Sequence, residues 1–157
     1  MASQVRRRKI DKLIVHVSDS RDDRDFTVFD VSRWHQQMNF PRSQTGLFCG
    51  YHYVITKSGE IQVGRFEHEV GAHCRGHNTH SIGVCWMGRN DLNKAQRDSL
   101  VEVLARLCAM YGLETKQIFG HRELNPGKTC PNIKEMDRLR DDVEMKIQAN
   151  LPQLRGA

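Results

Sequence analysis

No apolar stretch in this chain approaches the length of a membrane span, which excludes a helical integral-membrane protein. Proline is scarce, four in 157 residues, and no repeat, low-complexity tract or Pro/Gly-rich linker breaks the sequence. A multi-domain array is therefore not expected. Aromatic residues make up only 7%. None interleave with basic residues on one face, so specific nucleic-acid binding has no support beyond charge. A signal peptide is lacking too: Lys9-Ile10-Asp11-Lys12 would interrupt its apolar core, and Leu13-Ile14-Val15 is too short to replace it. The five cysteines, Cys49, Cys74, Cys85, Cys108 and Cys130, are odd in number and show no paired spacing. That excludes the disulfide framework of a small secreted domain.

What is present reads as one globular domain, with 38% hydrophobic and 27% charged residues. The net charge of +5 favours an anionic partner. Part of that excess is local, in Arg6-Arg7-Arg8-Lys9, so residues 1–9 are read as a basic N-terminal arm, 10–150 as the folded domain and 151–157 as a C-terminal tail. The plain reading of the arm is a solvated tail; the functional one is a grip on an anionic surface.

Residues 9–17 read as a strand buried on both faces. Thr27 reads as the N-cap of a short helix, with Asp30 placed for a capping box. Val31, Trp34 and Met38 repeat at helical spacing and are expected in the core. Tyr51 to Thr56 and Ile61 to Val63 read as strands joined by the turn Lys57–Glu60, and Ser81 to Met87 as another. The clearest helix lies between Asn93 and Tyr111, with Leu100, Val103, Leu104, Leu107, Cys108 and Tyr111 on one stripe and Gly112 as its C-cap. A last helix, about Ile133 to Ala149, places Met136, Leu139, Val143 and Ile147 on one face. Strands and helices interleave, so the fold class is α/β (α+β): a single domain with a mixed central sheet flanked by helices.

His16, at a strand end, His121 and Cys130 carry the chemistry. Two imidazoles and a thiolate form a borderline-soft donor set suited to one catalytic Zn2+, with a fourth position open. Such an ion lowers the pKa of a water on it toward about 7 and polarises a carbonyl, which points to amide or ester hydrolysis. Lys128, in a Pro-Gly turn two positions before Cys130, is placed to stabilise an oxyanion. Tyr51, in Gly50-Tyr51-His52-Tyr53, is the second candidate catalytic group, and His52 is read as structural. In the polar loop Gly71 to Asn78, His73 is read as a substrate contact at the rim. His35, His68, His77 and His80 have no evident role.

Taken together, Ile14-Val15-His16, Gly50-Tyr51-His52-Tyr53, Val70-Gly71-Ala72-His73, Asn78 through Ser81-Ile82-Gly83-Val84, and Gly120-His121-Arg122 through Lys128-Thr129-Cys130-Pro131 resemble the zinc-dependent N-acetylmuramoyl-L-alanine amidases of the amidase-2 class. These include small phage amidases and the animal peptidoglycan recognition proteins, and the pieces occur in the family's order over about residues 10–148. The resemblance implies His16, His121 and Cys130 as zinc ligands, Tyr51 and Lys128 as catalytic residues, and His73 and Asn78 as substrate-binding residues lining a murein groove. It implies cleavage between N-acetylmuramic acid and L-alanine of the stem peptide, with peptidoglycan as partner. Retention of the cysteine ligand favours an active enzyme over a sensor. Without a signal peptide or a wall-binding domain, the expected setting is a monomeric phage or prophage endolysin that waits in the host cytoplasm for holin-mediated release. Two other readings are a murein-binding module without turnover, and an amidase that also contacts phage RNA polymerase through the basic arm.

Overall fold

The computed structural model describes residues 7–155. Five strands form one sheet in the order β3-β2-β4-β1-β5: β1 (Lys12–Val17), β2 (Tyr53–Ile55), β3 (Ile61–Val63), β4 (Ser81–Trp86) and β5 (Ile118–Gly120). β1 pairs in parallel with both β4 and β5, β4 pairs in parallel with β2, and only β2–β3 is antiparallel. The helices are α1 (Val28–Gln37), α2 (Lys94–Tyr111), the single turn α3 (His121–Leu124) and α4 (Met136–Arg155). This is the mixed sheet with flanking helices that the sequence predicts.

Strand alternation divides the two faces of the sheet. Leu13, Val15 and Val17 of β1, with Ile82, Val84 and Trp86 of β4, enter the main core with Leu100, Leu104 and Leu107 of α2 and Leu139 and Val143 of α4. The intervening residues, Ile14 and His16 of β1 and Gly83 and Cys85 of β4, therefore face the other way. On that side Val28 and Val31 of α1 make a second core with Cys49, Val54 and Met87. His16 thus sits at the parallel strands' C-terminal end, where loops converge on an α/β sheet.

The start of α1 is capped as read, and α2 has a capping box that the sequence reading did not name. Thr27 accepts from Phe29 N–H while Asp30 takes the Thr27 N–H, and Asn93 and Gln96 make the same reciprocal pair. Each cap is worth about 1 kcal/mol. Gly112 ends α2 in the left-handed conformation at φ 65°.

Four readings change. Met38 is not in the core: α1 stops at Gln37, Asn39 turns left-handed at φ 62°, and Met38 is 62% exposed. Tyr51 precedes its strand rather than lying in it. β5 and α3 were not expected, and α4 begins at Met136 and runs to Arg155, beyond Ala149. Finally, Arg8 is no part of a solvated arm. Its guanidinium donates to the carbonyls of Glu67, Thr79 and Ser81, at 2.7, 3.0 and 3.2 Å, and knits the two loops together. Residues 1–6, the part of the arm for which a polymerase contact is expected, lie outside the described residues.

Candidate metal centre

His16 is buried on β1, beside Cys85 of β4. His121 opens α3, immediately after β5, and Cys130 lies at the far end of the following loop. Backbone bonds close that loop. Arg122 N–H donates to Cys130 O at 2.8 Å, and Trp86 Nε1–H reaches from the core to Pro131 O at 2.9 Å. Glu123 accepts the Gly120 N–H at 2.7 Å and pairs with Arg140 of α4, so α3 is fixed at both ends. Local chain geometry and β1–β5 pairing together bring His121 and Cys130 to His16.

One donor atom from each of His16, His121 and Cys130 lies within 4.8 Å of the others. Cys130 Sγ is 3.8 Å from His16 Nδ1 and receives the Val17 N–H at 3.2 Å. A tetrahedral zinc, with bonds of about 2.0–2.1 Å to nitrogen and 2.3 Å to sulfur, sets neighbouring donors roughly 3.5 Å apart. The three side chains fit such an ion. Burial, helped by the neighbouring imidazoles, holds His16 well below the usual histidine range. Burial and the Lys128 ammonium lower His121. Both rings are therefore neutral near pH 7, as ligation requires. Burial pushes the Cys130 thiol up to about 11 in the absence of a metal, so the ion must displace its proton.

Tyr51 stands with its ring 5.0 Å from that of His16. Burial keeps its phenol well above the usual range, hence un-ionised and able to donate. Lys128 is exposed on the loop; its charge adds to the lowering of His121 and opposes the burial-driven rise at Cys130. Asn125, four residues after His121, brings Nδ2 to 3.1 Å from its Nε2. A wide cavity between Tyr53, Phe66 and Tyr111 lies apart from this cluster and is lined by none of these residues.

The loop residues fall differently from the sequence reading. His73 does not point to the rim: Nδ1 lies 2.8 Å from His16 Nε2. Asn78 turns inward as a brace, its Oδ1 taking the N–H groups of His73 and Cys74 at 3.0 and 2.9 Å. Short polar side chains satisfy nearby backbone donors in this way when a loop folds back on itself.

The sequence reading also passed over His35. It accepts the Gly50 N–H on Nδ1 at 2.8 Å and so sets the chain entering Tyr51. Gly50 itself allows the two loops to meet. Its carbonyl takes the Ala72 N–H at 3.0 Å, and a Cβ there would stand 2.0 Å from Ala72 O. Gly50→Ala should cost ~3 kcal/mol and lower the melting temperature by about 6 °C or more. An unchanged melt would show that the loops separate freely.

His35 and His52 give the protein a pH dependence independent of the metal. Burial holds each at about 4, against about 6.5 in an unfolded chain. Between those values the unfolded state binds protons that the folded state does not. Their contribution to stability is complete above about pH 6.5 and is lost as pH falls toward 4, at up to about 1.4 kcal/mol per pH unit for each ring. Denaturant titrations of metal-free protein should give a lower midpoint at pH 5 than at pH 7, with His16, His73 and His121, also lowered by burial, adding to the loss. Equal midpoints would mean that burial lowers none of these rings.

The profile of the N-acetylmuramoyl-L-alanine amidases (amidase-2) matches residues 6–133. The chain belongs to that family. It is 33% identical over 135 residues to the endolysin of Escherichia phage T7, covering 81% of this chain and 83% of the relative. Among solved structures, the N-acetylmuramoyl-L-alanine amidase LysC of Clostridium intestinale superimposes with a TM-score of 0.73 at 21% identity, over 87% of this chain and 86% of that one. Drosophila peptidoglycan recognition protein LB does so with a TM-score of 0.68 at 20% identity, over 85% and 81%. These two likenesses confirm the amidase-2 fold.

Proposed function

We propose that the protein is a zinc-dependent N-acetylmuramoyl-L-alanine amidase that cleaves the amide between N-acetylmuramic acid and L-alanine of peptidoglycan, and that it serves as a phage or prophage endolysin. The observation that carries this reading is the convergence of His16, His121 and Cys130 from separate elements into one donor set beside Tyr51 and Lys128. The endolysin relatives support the biological setting, in which the enzyme acts from the host cytoplasm after release through a holin pore.

His16 Nδ1, His121 and the Cys130 thiolate would hold the ion, leaving one position for water or substrate. When bound, zinc supplies Lewis-acid polarisation of the scissile carbonyl and activates water for attack. Lys128 lies on the exposed edge of the site and sets its ammonium against the negative charge that develops on the carbonyl oxygen. Tyr51, un-ionised, orients the attacking water or assists its proton transfer. Its ring lies beside that of His16, which places the phenol next to the ligand set.

A digest of purified peptidoglycan with mass spectrometry of the soluble fraction tests the bond cleaved. Stem peptides with a free L-alanine amino terminus are expected. New reducing sugar ends instead would identify a glycosidase, and binding without any product would favour a murein-binding module.

A further inference from the structure

Both ring nitrogens of His73 are committed to protein partners. Nδ1 lies 2.8 Å from His16 Nε2, and Nε2 lies 3.3 Å from Ser81 Oγ. His16 turns its other nitrogen, Nδ1, toward Cys130. In a bond between two neutral imidazoles one nitrogen donates and the other accepts. With the proton on His16 Nε2, the lone pair of its Nδ1 faces the sulfur. With the proton on Nδ1 instead, that lone pair is lost and the ligand position is blocked.

The slot for the His73 ring is built by the backbone. A Cβ on Gly83 would stand 2.7 Å from both Cγ and Nδ1 of His73, and one on Gly71 would stand 2.5 Å from its Cδ2. Gly83 occupies the middle of buried β4, where glycine weakens a strand unless something approaches closely. Asn78 pins the His73 backbone from the other side. The ring stands edge-on to His16, at 90° with centroids 4.9 Å apart.

We propose that His73 is a positioning residue for the metal ligand His16. It accepts the His16 Nε2–H on Nδ1, passes its own Nε2–H to Ser81 Oγ, and so fixes the tautomer and ring plane that present His16 Nδ1 to the ion. The role rests on the zinc reading above. A partner of this kind on the outer nitrogen of a ligating histidine is worth 10- to 100-fold in metal affinity.

Two substitutions separate the hydrogen bond from mere filling of the slot. His73→Phe keeps the ring volume and loses the acceptor; His73→Asn shrinks the side chain and keeps an acceptor near the Nδ1 position. Zinc affinity, measured by competition with a chromophoric chelator, should fall about 10- to 100-fold in the Phe variant and stay within a few-fold of wild type in the Asn variant. Wild-type affinity in the Phe variant, or equal weakening in both, overturns the proposal in favour of packing. Long-range nitrogen–proton NMR spectra of the metal-free wild type supply a check that needs neither variant nor metal. The His16 proton is expected on Nε2, and a proton on Nδ1 also overturns it. Failure of wild type to bind zinc would instead remove the zinc reading, which keeps the two failures distinct.

Discussion

Cys130→Ala should yield a folded protein that retains no zinc and turns over peptidoglycan on the order of 10³-fold more slowly, or worse, because members of one catalytic unit fail together. The thiolate supplies one of three protein donors, and its loss leaves two imidazoles that cannot hold the ion in a tetrahedral site with an open position. The fold should survive. β1 remains paired with β4 and β5, and the Val17 N–H that loses Sγ lies only at the end of the strand. Metal content by mass spectrometry, beside circular dichroism and the release of stem peptides, separates these effects. A folded variant with a full equivalent of zinc would refute the assignment of Cys130 as a ligand, and the same logic applies to His16→Ala and His121→Ala.

Lys128→Ala should give the opposite combination: metal retained and turnover reduced about 10²-fold. Lys128 is exposed and outside every regular element, so its removal should change stability by no more than about 0.5 kcal/mol. What it loses is a positive charge near His121 and Cys130, where negative charge would develop on the substrate. Kinetics on a soluble muropeptide, with zinc content measured on the same preparation, provide the test. Undiminished turnover would reduce Lys128 to a solvated loop residue.

Much of the frame was legible because its signals are local. The capping box at Thr27 and the stripe from Leu100 to Cys108 depend on residues within a few turns, and they form as read. β5 was not, since Ile118-Phe119-Gly120 is too short to show a period and becomes a strand only by pairing with Leu13 to Val15. Met38 followed the helical spacing of Val31 and Trp34, but the left-handed Asn39 ends the helix before that spacing can act.

The site divides in the same manner. His121 and Cys130 could be associated from one short stretch, and His16 joined them as a second imidazole at a strand end, in agreement with the family resemblance. The inward turn of His73 depends on space left by Gly71 and Gly83 and on the contact of Gly50 with Ala72, all of it non-local. One signal was available: a glycine inside the apolar run Ser81 to Met87 marks a place where another group comes close. Read that way, Gly83 would have pointed to a buried neighbour on the His16 face of the sheet.

The most direct test of the account is a zinc titration of chelator-stripped protein, with stem-peptide release measured at each addition. Activity should be absent at the start, rise in proportion to added zinc and level off at one equivalent. Full activity in the stripped protein, with metal verified as absent, would contradict a zinc centre at His16, His121 and Cys130.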